Sequence, residues 1–208
     1  MNIFTSIINF IMFTIRANDI DESHGIKHSF DTIHFANRIF EAEKKNYPEL
    51  IPHERIIYVS SAIHDMCDDK YMITSEGQKL ITNLLDKKIT SSELQAVDKI
   101  IGSMSYSKVK VKGFPDLGKY QYAYHVVREA DLLCAYDFDR CILYHLYKKN
   151  TNIESAYDES VELFMNRMLQ HEKDNLFTYE YTKQQANVLK FQSLNRIRQW
   201  KKIIKCFK

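Results

Sequence analysis

The sequence predicts an all-α protein, and three observations support this fold class. Only five glycines and three prolines occur among the 208 residues, fewer than the many turns of an all-β fold require. Leucine, isoleucine, lysine and glutamate are abundant, and most of these residues favour helices. Apolar residues recur at intervals of three and four positions in several segments, which is the spacing of one helix face. With 45% apolar and 27% charged residues, the chain is long enough to bury one sizeable core.

Charge and cysteine content narrow the functional classes. The formal net charge of +2 is too small to indicate a membrane or a specific nucleic acid as partner, and we expect neither. The four cysteines form no Cys-x-x-Cys pair, so we expect no disulfide framework and a reducing, cytoplasmic location. They are Cys67, Cys134, Cys141 and Cys206.

The N-terminal segment is the one stretch whose composition resembles a targeting signal. Its apolar run of about 14 residues is interrupted by polar side chains and falls short of the roughly 20 residues that span a bilayer. It has no early lysine or arginine and no small-residue cleavage site. We therefore expect a buried first helix.

Periodicity and capping residues predict a series of further helices. These are residues 21–45, 54–67, 75–86, 91–103, 120–149, 154–170 and 183–204. Residues 105–118 contain two glycines and a proline and are predicted to form an irregular loop, a kind of segment that is often functional. Lys108, Lys110 and Lys112 in this loop either bind phosphate or form a solvated basic surface.

A domain boundary is predicted at residues 150–152. It separates a main domain, residues 1–150, from a C-terminal helical extension, residues 151–208, that packs on it. The last helix combines apolar residues with several lysines and arginines, a pattern typical of a packed helix with a solvated basic face.

Residues 56–70 carry the densest group of titratable side chains. An apolar helical segment leads directly into His64 and Asp65, and Asp68, Asp69 and Lys70 follow about one turn later. Adjacent side chains at a helix end point in neighbouring directions, so His64 and Asp65 can reach one ion. The pattern indicates a site more than a packing surface, but a His-Asp pair needs partners elsewhere in the chain.

Two further residues supply such partners. His28 falls on the same helix face as apolar residues and is expected to point inward. Asp131 interrupts an apolar stripe, where an ionised carboxylate costs several kcal/mol unless it is paired or coordinated. Each has a structural alternative: His28 as a hydrogen-bonded core residue, and Asp131 in a salt bridge, for example with Arg128. Two imidazoles and two carboxylates suit Mn²⁺, Fe²⁺, Co²⁺ or Ni²⁺, in a hydrolytic site.

The order His…His-Asp…Asp resembles the HD-domain superfamily of metal-dependent phosphohydrolases, in particular its small stand-alone members. The resemblance lies in SHGIKHSFDTIHFA, AIHDMCDDK and READLLCAYDFDR, and covers about residues 21–140. It implies a helical bundle with additional C-terminal helices. It also implies that His28, His64, Asp65 and Asp131 bind one divalent metal ion, for which Mg²⁺ is a further possibility.

The same resemblance assigns expected roles around the metal. Asp68 and Asp69 in HDMCDD are similar to the HDxxED acids of hydrolases that remove pyrophosphate from guanosine tetraphosphate, and would position or deprotonate the attacking water. His24, Lys70 and Arg128 lie one turn from expected ligands and would bind substrate phosphate. The expected activity is hydrolysis of a nucleotide or related phosphate ester or pyrophosphate through a metal-activated water.

Other functions compatible with the sequence are weighed against this one. A non-catalytic sensor or scaffold that binds metal and nucleotide would keep the same residues. A di-iron oxygenase would need a histidine pair beside the His-Asp dyad, and a cyclic-dinucleotide phosphodiesterase would be expected to show a GYP-type extension; the sequence has neither. The sequence does not distinguish monoester, diester and pyrophosphate substrates, nor does it fix the metal or the oligomeric state.

Overall fold

The computed structural model describes residues 2–207, without the side chain of Lys108, and confirms the all-α prediction. No β-strand occurs in this range. Its helices are α1 (Ile3–Ala17), α2 (Ile26–Glu43), α3 (Glu54–Ile63), α4 (Thr74–Leu85), α5 (Ser91–Gly102), α6 (Tyr106–Lys112), α7 (Gln121–Cys134), α8 (Phe138–Lys149), α9 (Ile153–Asn166) and α10 (Glu180–Cys206). Short 3₁₀ turns at Glu22–His24, Pro48–His53, Gly118–Tyr120 and Met168–Gln170 join some of them.

Helices α2, α3 and α7 pack against one another and form the centre of the molecule. Their apolar faces bury side chains such as Ile39, Ile57 and Val127 completely. Each such side chain contributes about 1.5–3 kcal/mol to stability when it leaves water. Helix α9 packs on α8, and α10 packs on α7, α2, α8 and α9. Phe164 of α9 and Ile197 of α10 belong to the same continuous core, and the domain division at residue 150 stays a prediction.

The first helix is buried on one face only. Ile7 and Ile11 pack into the core, whereas Phe4 and Phe13 are 50% and 65% exposed. The expectation of a buried first helix is therefore correct for one face of α1 only. In residues 2–207, no helix has both the length and the apolar character that crossing a membrane requires.

The helix predicted for residues 54–67 ends earlier than expected. Helix α3 stops at Ile63, and the chain continues as tight turns in which Met66 N–H donates to Ile63 O and Asp68 N–H donates to Asp65 O. The turns begin at His64, so the titratable residues lie on a compact turn segment beyond the helix.

The single long helix predicted for residues 120–149 is wrong. The helix is interrupted between Cys134 and Phe138. The carboxylate of Asp137 caps α8 by accepting hydrogen bonds from Asp139 N–H and Arg140 N–H. An aspartate at this position satisfies two backbone donors that a new helix leaves free. The break redirects α8 relative to α7.

The loop predicted for residues 105–118 is partly helical. Residues 106–112 form α6, which ends at Gly113 with φ +77°, a backbone conformation that favours glycine. Lys110 pairs with Asp174 at 2.8 Å and Lys112 is exposed. Lys108 belongs to the same prediction, but its side chain lies outside the described residues.

Candidate metal centre

Four predicted ligand side chains converge from three parts of the chain. His28 comes from α2, His64 and Asp65 from the turn after α3, and Asp131 from α7. The Nε2 atom of His28 lies 3.1 Å from His64 Nε2 and 3.1 Å from Asp65 Oδ2. Asp131 Oδ1 lies 3.3 Å from His28 Nε2 and 3.5 Å from His64 Nε2. Ligand atoms about 2.1 Å from one ion are about 3.0–3.4 Å apart at octahedral or tetrahedral angles, so the spacing suits an ion.

Three of these residues form a group that could hold a metal ion. Ligand atoms of His28, His64 and Asp65 all lie within 4.8 Å of one another. Asp131 contacts both imidazoles but is not part of this mutual grouping, and its role as a fourth ligand stays a prediction.

The orientation of the ligand atoms also fits a cation. His64 Nδ1–H donates to Ser61 O at 3.0 Å, so Nε2 is the ring nitrogen that faces the group and would offer its lone pair to an ion that displaces its proton. Asp65 Oδ2 is buried, and no donor among residues 2–207 reaches it in hydrogen-bonding geometry. A buried carboxylate oxygen without a donor is costly, and an ion at this position would satisfy it.

The electrostatics of the group favour a bound cation. Burial tends to raise the pKa of Asp65 and Asp131, but the neighbouring imidazoles more than offset this and hold both pKa values below the usual range. Burial lowers the pKa of His64, whereas the Asp65 and Asp131 carboxylates raise it to about 9. The carboxylates are thus ionised and draw positive charge to the His64 imidazole, the charge that a metal ion would otherwise provide.

The group lies in the wall of a cleft of about 820 Å³, a volume within the range of small-molecule sites. Both charge signs line it. The basic side chains are Lys70, Arg140, Lys149 and Arg167, and the acidic ones are Asp65, Asp68, Asp69 and Asp131. A smaller groove of about 300 Å³ between α1 and α3 contains none of the predicted site residues.

Asp68 and Asp69, the predicted catalytic acids, both line the cleft. Asp68 also has a structural role, because Oδ1 accepts a hydrogen bond from Lys70 N–H at 2.9 Å. Its Oδ2 lies 3.3 Å from the Lys70 ammonium. Asp69 is exposed. Their catalytic roles stay predictions.

His24 also lines the cleft, and its protonation can be deduced from its neighbours. The Nδ1 atom lies 2.7 Å from Ser23 Oγ and 2.9 Å from Tyr71 Oη. Both hydroxyls donate to the Asp21 carboxylate, so Nδ1 is left to donate and Nε2 carries the lone pair. Burial lowers the pKa of His24 to about 4, which keeps the ring neutral at pH 7.

Arg128, which was predicted to bind substrate phosphate, is not among the described residues that line the cleft, and the phosphate contact stays a prediction. Arg128 is only 2% exposed, and its guanidinium donates to Leu176 O and stacks on Phe114 at 4.7 Å. It lies 3.6 Å from the Glu129 carboxylate. Its guanidinium contacts the segment before α10 through Leu176 O, and its buried Nε has no hydrogen-bond acceptor among residues 2–207.

Arg140 is the cleft cation that sequence reasoning missed. Its Nη2 lies 3.1 Å from His28 Nε2, and its Nε–H donates to Ser23 O. On one continuous helix, a residue nine positions after Asp131 would point to the opposite face, at about 100° per residue. The break at residues 135–137 brings it back to the cleft, and Asp137 as an N-cap was the signal that could have revealed it.

Comparisons with known proteins support the fold and give no information about the activity, which has to be inferred from the site. No family model and no curated protein matches the sequence. The crystal structure of a Lactobacillus plantarum protein, solved as a structural genomics target, is similar with a TM-score of 0.71 and 16% sequence identity. The similarity covers 98% of this chain and 97% of that chain. The helical arrangement described above is thus shared over nearly the whole length of both proteins.

Proposed function

We propose that this protein is a metal-dependent phosphohydrolase of the HD-domain type, acting on a nucleotide or a related phosphate ester or pyrophosphate. One observation carries the proposal. Ligand atoms of His28, His64 and Asp65 lie within 4.8 Å of one another, and Asp131 Oδ1 lies 3.3 and 3.5 Å from the two imidazoles, beside a cleft lined by cationic and acidic side chains.

The metal would be held by His28, His64, Asp65 and Asp131. Two imidazoles and two carboxylates suit Mn²⁺, Fe²⁺, Co²⁺ or Ni²⁺, with Mg²⁺ as a weaker candidate. When bound, such an ion supplies Lewis-acid activation of water and neutralises phosphate charge.

The remaining cleft residues would bind the phosphate and move the proton. Arg140 and Lys70 neutralise phosphate oxygens, and Arg140 can do so through two parallel hydrogen bonds. A carboxylate oxygen of Asp68 or Asp69 accepts the proton of the attacking water. The neutral His24 offers Nε2 as a hydrogen-bond acceptor for a substrate hydroxyl or a water molecule. The four free cysteines are in keeping with a reducing, cytoplasmic environment.

The test combines metal analysis with an assay of product release. Metal content of the purified protein is measured, and release of phosphate and pyrophosphate is followed over a nucleotide panel with added Mn²⁺. We expect bound metal and turnover in the wild type, and loss of both in Asp65→Ala. Asp158→Asn, an exposed position on α9, is the matched control and should behave as the wild type.

Two outcomes would contradict the proposal. Failure of the wild type to bind metal even after reconstitution would remove the site itself. Metal and nucleotide binding without turnover on any substrate of the panel would favour the non-catalytic sensor instead.

A further inference from the structure

A second part of the cleft wall contains a histidine that the proposed chemistry does not use. His171 follows the 3₁₀ turn Met168–Gln170 and is 0% exposed. Neither ring nitrogen has a hydrogen-bond partner among residues 2–207. Buried polar atoms of native proteins are nearly always paired, so two unpaired nitrogens on one ring indicate a group that is satisfied only when something else is bound.

The surroundings of His171 are aromatic. The rings of Tyr106, Tyr136 and Phe177 lie 5.5, 5.9 and 6.0 Å from its ring, measured between centroids. The Arg167 guanidinium stacks on the Tyr106 ring, 4.3 Å from its centroid. This recess therefore offers flat apolar surfaces and one hydrogen-bonding edge, and its chemistry differs from that of the charged end of the cleft.

The neutral state of His171 defines what the recess can recognise. Burial and the nearby Arg167 lower the pKa of His171 to about 3, so the ring carries one donor and one acceptor at pH 7. A phosphate group presents only acceptors and negative charge, and Arg140 and Lys70 suit it better. The edge of a nucleobase presents a donor or acceptor at neighbouring positions, on a flat ring that can stack.

Helix α6 forms one side of the recess through Tyr106. This short helix carries Tyr106, whose hydroxyl donates to Asp174 at 3.0 Å, and Lys110, whose ammonium lies 2.8 Å from the same carboxylate. Lys110 is exposed, and pairs of this kind hold weakly in water. Gly113 ends the helix and provides a flexible joint. Displacement of α6 would uncover His171 and would also expose Val109, which α6 buries in the core.

We infer that the recess around His171 receives the nucleobase of a nucleotide substrate, with His171 as the residue that hydrogen-bonds the edge of the base. The inference rests on the proposed function, because it assigns the substrate class of the same cleft. The phosphate lies at the metal group and Arg140, and the base lies against Tyr106 after α6 has moved. His171 would determine specificity and take no part in bond breaking.

The test compares two substitutions with opposite hydrogen-bonding properties. His171→Phe keeps a flat ring and removes both nitrogens, whereas His171→Gln keeps a donor and an acceptor. KM and kcat are measured for a nucleotide panel and for p-nitrophenyl phosphate, which has no base. We expect His171→Phe to raise the nucleotide KM at least tenfold, to change kcat/KM for p-nitrophenyl phosphate less than twofold, and not to lower the melting temperature. His171→Gln should recover part of the affinity.

A binding measurement keeps the inference separable from the proposed function. Adenosine, guanosine, cytidine and uridine, which carry no phosphate, are titrated into metal-free wild type and His171→Phe by calorimetry. Binding of at least one nucleoside to the wild type, weakened at least tenfold in His171→Phe, supports the inference even if no hydrolysis occurs. Equal binding to both proteins, or no binding to the wild type, overturns it. Loss of melting temperature and of p-nitrophenyl phosphate turnover in His171→Phe would show a purely structural role and would also overturn it.

Discussion

Helix α7 carries two carboxylates two positions apart whose surroundings differ in kind, one fully buried and one with a side chain that is 31% exposed. Glu129 is 0% exposed, and its two oxygens accept hydrogen bonds from Thr178 N–H at 2.6 Å and Tyr179 N–H at 3.3 Å. Asp131 faces the imidazoles of His28 and His64. The backbone N–H groups that donate to Glu129 are part of the fold, and no other partner can replace them. The imidazoles beside Asp131 leave its carboxylate able to bind a cation as well. The comparison distinguishes a carboxylate that holds the scaffold together from one that is available for a ligand.

The structural carboxylate belongs to a wider arrangement that docks α10. Glu43 of α2 accepts a hydrogen bond from Tyr181 N–H at 2.9 Å, so two buried acids face the beginning of this helix. Negative charge at a helix N-terminus is stabilising, and here it also satisfies backbone donors that would otherwise be buried. The arrangement fixes the segment that contains Phe177, which borders His171.

The largest effect is expected at the ligand-type carboxylate. Asp131→Asn keeps the size of the side chain and removes its charge, so metal content should fall and phosphate release should drop by about 10³-fold, or about 4 kcal/mol of barrier. The metal-free protein should lose part of its free energy of unfolding at pH 7, because the ionised Asp131 interacts favourably with the His28 and His64 imidazoles. Metal analysis, product release and thermal unfolding test this. Full metal content with normal turnover would show that Asp131 is no ligand.

The second prediction concerns the scaffold side of α7. Arg128→Met leaves Glu129 buried beside an apolar chain, and loss of one partner of a buried pair costs about 3–5 kcal/mol of unfolding free energy. Metal content and the KM for p-nitrophenyl phosphate should stay as in the wild type. Denaturant unfolding and steady-state kinetics measure both. A raised KM without loss of stability would restore the original assignment of Arg128 to substrate binding.

A double substitution sharpens this second prediction. In Arg128→Met with Glu129→Gln, the uncompensated charge is gone, so the combined loss of unfolding free energy should be smaller than the sum of the two single losses. Additive losses would mean that the two side chains act independently, against the 3.6 Å separation of their charged groups.

The elements of the fold could be predicted because their signals are local. Helical periodicity and capping residues identified most helices, and the apolar stripe around Asp131 correctly marked a carboxylate with special surroundings. The same reasoning did not foresee the burial of Arg128, because this arginine on α7 meets Leu176 O only through a contact 48 residues distant in sequence. No local pattern announces such a contact.

The site was only partly predictable for a similar reason. His28, His64, Asp65 and Asp131 share a recognisable order along the chain, so their convergence could be expected. Arg140 depended on one helix break, which turned its side chain by about half a turn relative to a continuous helix. His171 has no motif at all, and its unpaired ring nitrogens become visible only when the surrounding helices are in place.

The third prediction uses pH to test the scaffold side separately. His125 is buried. The amide oxygen of Gln121 already accepts a hydrogen bond from Leu117 N–H, so the Gln121 amide nitrogen is the group that faces His125 and donates to its Nε2. The proton of the neutral ring is therefore on Nδ1, which donates to the Thr178 hydroxyl. Burial and the nearby Arg128 lower the pKa of His125 from 6.5 to about 4. The unfolded chain thus binds a proton at His125 that the folded protein does not bind. The free energy of unfolding therefore decreases as the pH falls from 6.5 towards 4.

The expected loss is on the order of 3 kcal/mol for this residue. It is measured as the free energy of unfolding in denaturant between pH 7 and pH 4. His125→Gln removes one titrating group and should reduce the slope over this interval, to which His24 and His171 with their lowered pKa values also contribute. An unchanged slope in His125→Gln would assign the acid sensitivity to other groups.

The smallest effect, about tenfold, is expected at Arg140, where the direction of change is more informative than its size. The Nη2 donor lies 3.1 Å from His28 Nε2, the atom whose lone pair a metal ion would use. The guanidinium therefore competes with the metal for this atom, and its positive charge also repels the metal. Arg140→Gln should therefore bind metal at least as tightly as the wild type. The same substitution removes a charge-assisted contact worth about 1.5–3 kcal/mol, so the KM for nucleotide should rise about tenfold.

Metal binding as tight as or tighter than in the wild type, together with a raised substrate KM, would identify Arg140 as a phosphate-binding residue that takes the place of a cation in the metal-free protein. Metal titration and steady-state kinetics measure the two quantities. Arg196→Gln is the matched control. It removes an arginine of α10 that pairs with Asp139, which lies on α8 like Arg140, and it should change neither the metal affinity nor the KM. If Arg140→Gln weakened metal binding and left KM unchanged, the guanidinium would act by orienting His28, and the cleft would depend on Lys70 for its phosphate contact.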